Sequence, residues 1–226
     1  MECYALLFSG GKESVFALAK VLSIGINVDY LLCNLYDFPR PSPHTLNIEV
    51  VELIAEAVGI PLIKNDVRGK DPKKSLIDLL ESLCLSGVIA GDIFVEEHRK
   101  WLESICDQVG IKCLEPLWDL DTEKLLREEV RIGLRPMIVG VDIGLIDTSW
   151  LGKILNQELV EEFISLAKNV GMDPCGEYGE YHTLVLEGPP LNKVVKVRMK
   201  YFDIIDHYGL LTLSKLETNC GSVEEG

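Results

Sequence analysis

The sequence predicts an α/β fold: a parallel sheet with helices on both faces, followed by a smaller C-terminal α+β domain. Three observations carry this. Short apolar runs alternate with helical patterns through about residue 118, as expected of parallel strands joined by crossover helices. A glycine turn, Ser9-Gly10-Gly11-Lys12-Glu13-Ser14, stands where the first apolar run meets the first helical pattern. Beyond Leu117 the rhythm changes and ends in strands of period two.

Strands are predicted at residues 4–8, 28–35, 61–65, 87–90 and 111–117. A first helix begins near Glu13, with Val15, Leu18, Ala19 and Leu22 on one face. Ile48, Val51, Ala55 and Val58 share a face of the second helix, and Trp101, Leu102, Ile105 and Val109 a face of the fourth. A helix at 122–132, a strand at 137–141 and a helix at 156–170 follow, then a strand at 184–186. Val195, Val197, Met199 and Tyr201 alternate with Lys196, Arg198 and Lys200, which predicts a half-buried strand. Leu211 and Leu213, interleaved with Thr212 and Ser214, predict its antiparallel neighbour across a turn at 207–209. The expected division is 1–120 and 121–226, with no internal repeat and a loose tail at 219–226.

Composition limits the functional classes. With 47% apolar residues in 226, the chain can fill its own core without covalent staples. A net charge of -14 disfavours phosphate backbones, so direct nucleic-acid binding is not expected. The seven cysteines and four histidines are scattered without Cys-x-x-Cys or paired-ligand spacing, so neither a disulfide framework nor a zinc site is expected. No apolar run is long enough to span a bilayer, and Met1-Glu2-Cys3 supplies no basic stretch before the first apolar run. A cytoplasmic protein without membrane contact is the expectation.

The glycine turn has the chemistry of a phosphate cradle. Adjacent glycines let an anion approach the main chain, and the helix that follows offers unpaired N–H groups and the positive end of its dipole. Lys12 adds charge, and Ser9 and Ser14 add hydroxyls. A Walker-type loop is excluded, because Leu6 and Glu13 stand where it needs Gly and Ser or Thr. A second constellation runs from Asp173 to Thr183: Gly176 and Gly179 loosen the backbone, Glu177 and Glu180 bring carboxylates, and Tyr181, His182 and Thr183 bring donors and acceptors. A solvated acidic turn is the plainer alternative. Asp92, after the fourth strand, is a candidate for metal or ribose contact, with a helix cap as its alternative.

Ser-Gly-Gly-Lys-Glu-Ser resembles the PP-loop of the ATP pyrophosphatases, which have an adenine nucleotide alpha hydrolase-like fold, with Glu13 where that pattern usually has aspartate. A longer series narrows the resemblance: Gly91-Asp92-Ile93 before a helix with His98, Arg99 and Trp101, then Pro116-Leu117-Trp118, Trp150-Leu151-Gly152, and Gly176-Glu177-Tyr178-Gly179-Glu180-Tyr181-His182-Thr183. Together these resemble the diphthine–ammonia ligase family, also called diphthamide synthetase, over most of the chain.

The resemblance implies ATP-dependent amidation of diphthine on translation elongation factor 2 with ammonium, through an acyl-adenylate, releasing AMP and pyrophosphate. It implies ATP as co-substrate with Mg²⁺, Asp92 being the metal candidate. The nucleotide set is Ser9, Gly10, Gly11, Lys12, Glu13, Ser14, Gly91 and Asp92, joined by Leu7, Phe8 and the backbone near Asn34 and Leu35 as weaker adenine neighbours that follow from the fold geometry alone. Lys12, Glu177, Glu180 and His182 are the catalytic candidates; His44, Gly176, Gly179, Tyr181 and Thr183 join Glu177, Glu180 and His182 around the substrate. His44 falls in a loop at 41–45, where a helix N-terminal contact is its alternative, and Cys175 is an adjacent thiol that the reaction does not require. Cys3 lies behind Met1 and Glu2 and there is no spare glutaminase domain, so free ammonium is the expected nitrogen source. A homodimer is left open. The competing readings are a PP-loop enzyme modifying transfer RNA, against which the acidic charge counts, and a non-catalytic nucleotide sensor of the same fold.

Overall fold

The computed structural model describes residues 2–37 and 42–216; Pro41 of the expected 41–45 loop, Cys220 and the 219–226 tail lie outside them. The first part alternates β1 (Tyr4–Leu7), α1 (Lys12–Ser23), β2 (Tyr30–Leu35), α2 (Pro43–Leu46), α3 (Ile48–Val58), β3 (Leu62–Asp66), α4 (Pro72–Ser82), β4 (Gly87–Ile89), α5 (Glu96–Val109) and β5 (Lys112–Leu114). Its strands form one parallel sheet in the order β3-β2-β1-β4-β5.

Strand periodicity decides which helix covers which face. Leu6, Leu31 and Ile89 point into one apolar cluster with Val15 and Leu18 of α1 and Val51 and Ile54 of α3. Their neighbours Ala5, Leu32 and Val88 point the other way, against Leu76 and Leu80 of α4 and Leu102 and Ile105 of α5. Helix ends follow local chemistry. Asp71 accepts the N–H groups of Lys73 and Lys74 at the start of α4, with Pro72 in its first turn. Left-handed Gly59 and Gly110 end α3 and α5.

The second part comprises α6 (Thr122–Arg131), β6 (Pro136–Asp142), a 3-10 turn at Thr148–Trp150, α7 (Leu159–Val170), β7 (Tyr181–Val185), β8 (Val197–Ile205) and β9 (Tyr208–Lys215). The four strands pair antiparallel in the order β7-β6-β9-β8. Val139, Val141 and Leu184 join the same cluster as Leu6 and Ile54, so this sheet packs over the α1 and α3 side. No helix among the described residues is long and apolar enough to cross a membrane.

Four expectations are corrected. Trp101 is 36% exposed, and Cys106 joins Leu102 and Ile105 on the buried face of α5 instead. The strand expected at 111–117 ends at Leu114, because residues 116–119 turn. The helix expected from Asn156 starts at Leu159, since the Asn156 side chain accepts the N–H groups of Glu158 and Leu159 ahead of it. The predicted half-buried strand is an edge: β8 pairs with β9 alone among the described residues, and its register shifts between Met199 and Tyr201. That bulge breaks the alternation and leaves Met199, Tyr201, Phe202 and Ile204 exposed.

Strand order reverses between β1 and β4, and the loops leaving their C-terminal ends part there to form a crevice.

Candidate active site

The glycine turn leaves β1 at this crevice. Gly10 has φ +75, and a Cβ there would come within 3.1 Å of Ile54 Cδ1 and 3.3 Å of Leu184 Cδ2, so both conformation and space favour glycine. Two bonds tie the turn to β7. Val185 N–H donates to the Gly10 carbonyl at 2.9 Å, and Lys12 N–H to Thr183 Oγ1 at 3.2 Å. The Gly11 N–H donates to Ser9 Oγ at 3.1 Å, and Ser14 Oγ–H to the Gly11 carbonyl at 2.9 Å. Two of the N–H groups expected to hold phosphate are thus paired with hydroxyls. A phosphate oxygen is the stronger, charge-assisted acceptor and exchanges for a hydroxyl favourably.

Lys12 is 1% exposed. Its Nζ donates to the Cys175 carbonyl at 2.7 Å, pairs with the Glu13 carboxylate and lies 4.7 Å from the centre of the Tyr181 ring. This ammonium therefore faces the C-terminal loop.

The crevice has two adjoining compartments that share Ser9, Glu13, His44, Asp92 and Glu177. The smaller, about 270 Å³, is walled by Leu7, Phe8, Leu32, Cys33, Asn34 and Gly91, a mostly apolar slot suited to a flat base. Asn34 is steadied by Asn65, whose Nδ2 donates to Asn34 Oδ1 at 2.9 Å. Gly91 lets the β4 loop meet α1, since a Cβ there would lie 3.0 Å from the Glu13 carbonyl. Leu35, whose backbone was expected near the adenine, has its side chain in the buried cluster and lines neither compartment. The larger compartment, about 660 Å³, holds Lys12, Gly11, Tyr181, His182 and Thr183.

The C-terminal loop splits its carboxylates between two tasks. Glu177 lines both compartments and accepts the Ile93 N–H at 3.0 Å. Burial pushes it up to about 7, against the pull of that N–H and of Lys12. Glu180, expected at the reacting centre, is 9% exposed and accepts the N–H groups of Asp173 (3.3 Å) and Tyr178 (3.0 Å). It lines neither compartment; its carboxylate shapes the loop. Gly176 is required, because a Cβ would sit 2.6 Å from the Tyr181 ring at φ +77, and Gly179 turns at φ +83. Tyr181 O–H donates to the Pro174 carbonyl at 2.7 Å while its ring packs edge-on to Phe163. His182 faces the larger compartment, its ring 5.3 Å from that of His44. Loss of hydration pushes His44 down to about 4, which keeps it neutral. Cys175 is buried, donates to the Thr122 carbonyl, and has its thiol raised well above its ordinary range by burial, so it is no nucleophile.

Asp92 lines both compartments and accepts from or pairs with His98 Nδ1 at 2.9 Å, a bond that raises the His98 pKa. No group of three or more His, Cys, Asp or Glu among the described residues would hold a metal unaided. A single carboxylate beside a phosphate cradle does fit Mg²⁺, which takes most of its ligands from phosphate oxygens and water.

Sequence reasoning missed two residues and gave a third, Asp173, no role of its own. Glu129 of α6 is fully buried, and neither of its oxygens has a hydrogen-bond partner among the described residues. Its signal was an acid on the face shared with Leu125, Leu126 and Val130. Asp173 Oδ2 accepts the N–H groups of Cys175 and Glu177, and Tyr208 O–H donates to the Gly179 carbonyl at 3.1 Å.

Comparison with known proteins places this geometry in a family. Residues 2–113 match the diphthamide synthase N-terminal domain, and residues 121–217 the diphthamide synthase C-terminal domain. The chain is 30% identical to the Homo sapiens diphthine–ammonia ligase, covering 85% of this chain and 82% of that protein. It is 31% identical to the Danio rerio protein of that name, covering 84% of each. The Schizosaccharomyces pombe diphthine–ammonia ligase is 30% identical over 89% of this chain, which spans only 36% of that longer protein. By both domains and by these relatives, the chain belongs to the diphthamide synthase family.

Proposed function

We propose that this protein, a C–N bond-forming ligase by its family, amidates the diphthine carboxylate of translation elongation factor 2 with ammonium at the cost of ATP. The observation that carries the reading is the joining of the two motifs: the glycine turn and the 176–183 segment are hydrogen-bonded to each other and wall one crevice.

A carboxylate does not exchange its oxygen for nitrogen unaided, since oxide is too poor a leaving group. The slot walled by Phe8, Asn34 and Gly91 receives the adenine. Main-chain N–H groups at the turn, with Lys12 Nζ, receive the β and γ phosphates, leaving the α phosphorus toward the larger compartment. Asp92 would hold Mg²⁺, which when bound offsets phosphate charge. The substrate carboxylate, on the His182 and Thr183 side, attacks the α phosphorus in line, and pyrophosphate departs with the electrons of the broken P–O bond. Nitrogen then attacks the acyl carbon and AMP leaves. Ammonium must first lose a proton, and Glu177, held near 7, is a carboxylate suited to take it. Exposed Tyr178, stacked edge-on to Phe94, forms a lip where a protein substrate can rest.

The test is product analysis with purified protein, ATP, Mg²⁺, ammonium chloride and diphthine-bearing elongation factor 2. AMP and pyrophosphate should appear only when both the factor and ammonium are present. ADP and orthophosphate, or turnover that ignores the factor, would refute the assignment. Tight ATP binding without turnover would favour a sensor, and transfer-RNA-dependent turnover a modifier of RNA.

A further inference from the structure

β8 is the outer strand of its sheet and carries its side chains in the open. Met199, Tyr201, Phe202 and Ile204 are 62, 51, 50 and 47% exposed, and β9 is the only strand among the described residues that pairs with β8. Long apolar edges attract further strands, and proteins commonly guard them with charges, bulges or a cover. Here the charges and the bulge form a pattern. Val197, Met199, Phe202 and Ile204 lie opposite Lys215, Leu213, Leu211 and Gly209, which puts all four on one face. Arg198, Tyr201, Asp203 and Ile205 lie opposite Ser214, Thr212, Leu210 and Tyr208 on the other. Lys200 is the extra residue of the bulge, and it keeps the apolar residues on one face along the whole strand.

We propose that this edge is a homodimer interface, in which β8 pairs antiparallel with β8 of a second copy about a two-fold axis through Tyr201. In that register Arg198 meets the partner's Asp203 on one face, to either side of a central pair of Tyr201 rings. On the other face Met199 meets the partner's Phe202, and Val197 the partner's Ile204. The two-fold repeats each contact, giving two ion pairs and an unbroken apolar stripe. Neighbouring registers lose this match. One step toward the hairpin tip sets Tyr201 against Asp203 and Arg198 against Ile205, and one step the other way confines the pairing to residues 197–202. A net charge of -14 opposes self-association in general. Over residues 196–206, however, Lys196, Arg198 and Lys200 outnumber Asp203 and Asp206, so repulsion is relieved at this edge. Arg198 Nε donates to Ser214 Oγ at 3.1 Å, a neutral bond that a carboxylate replaces favourably. Charge and bulge thus exclude mismatched strands and admit a copy of the same strand. The four-stranded sheet becomes one of eight, β7-β6-β9-β8 continued by the same strands of the second copy in reverse order. The inference is independent of the ligase reading, since no residue of β8 lines either compartment.

Sedimentation velocity of the full chain should give a particle of twice the 25.2 kDa chain mass. Arg198→Glu and Asp203→Arg should each weaken the dimer by about a hundredfold or more, because like charges then face each other twice across the axis. The doubly exchanged chain, Arg198→Glu with Asp203→Arg, should dimerise again. Under mild oxidation Tyr201→Cys should form a covalent dimer on a non-reducing gel, above the wild-type background, since directly opposite residues bring their Cβ atoms within about 4.5–5.5 Å. Met199→Cys, set against the partner's Phe202, should not. All the substituted residues are exposed, so the fold is kept. A monomeric wild type overturns the proposal, and a monomer that associates only with diphthine-bearing elongation factor 2 gives the edge to the acceptor protein instead. A dimer that both single exchanges leave intact, or that the double exchange fails to restore, overturns it too. Crosslinking through Met199→Cys in place of Tyr201→Cys moves the axis and overturns the register. Each of these results leaves the ligase reading standing.

Discussion

Replacing Glu129 by glutamine should make the stability of the protein less dependent on pH, in a direction fixed by its burial. Burial moves the carboxyl from its ordinary 4.5 to about 7 in the folded state. Below about 4.5 it is protonated in both states and costs nothing extra. Between 4.5 and 7 the unfolded chain releases the proton while the folded protein keeps it, so stability falls as pH rises. Above 7 the full cost is present. At ~1.4 kcal/mol for each tenfold change in proton affinity, that cost is roughly 3 kcal/mol. Glutamine has the shape and polarity of the protonated acid and does not titrate. The variant should match the wild type near pH 4.5 and exceed it by roughly 3 kcal/mol at pH 8, a gap of about 6–12 °C in melting temperature for a chain of this size. Urea unfolding of both proteins from pH 4.5 to 8 reads it directly, and other titrating groups cancel in the difference. Curves that stay parallel across this range would show that Glu129 is not buried against its charge.

Three further outcomes follow from the site. Lys12→Ala should lower pyrophosphate release by about a hundredfold or more, the usual loss when a preorganised cationic donor is removed from developing phosphate charge, with the far-ultraviolet circular dichroism unchanged; normal turnover would remove Lys12 from the chemistry. Because Glu180 accepts two loop N–H groups, Glu180→Gln sets an amide donor against one of them and should cost about 1–3 kcal/mol in urea unfolding; wild-type stability with lost amidation would return Glu180 to the reacting centre. Glu177 must be ionised to take a proton, so amidation in the wild type should fall below pH about 7, roughly tenfold for each pH step, and Glu177→Gln should be slow with that limb absent; an unchanged acidic limb in the variant assigns the base elsewhere.

The parallel sheet was legible because its inner strands β1, β2 and β4 are largely buried on both faces and read as apolar runs. The glycine turn was legible because Gly10 needs both positive φ and clearance from Ile54. Two kinds of feature were not. Orientation within the 176–183 segment depends on loop hydrogen bonds to residues as near as Asp173 and Tyr178, so Glu177 and Glu180 look alike in sequence while one faces the crevice and the other its own backbone. The exposure of β8 follows from its edge position and its bulge at Met199, neither of which alternation reveals. Glu129 was readable as an acid within an apolar helix face, but its neighbourhood with Lys12 arises from packing across 117 positions, which local pattern cannot supply.

The stitch between the glycine turn and β7 joins residues 171 positions apart, as Lys12 does with Thr183. Contacts of such long range form late, after the loop between them has been closed. On the ribosome, the first ten residues emerge long before their partners, so a half-made chain would have its turn without the strand that steadies it. The turn thus gains its fixed shape only when β7 has folded against it, so the part of the crevice synthesised first is the last to be secured.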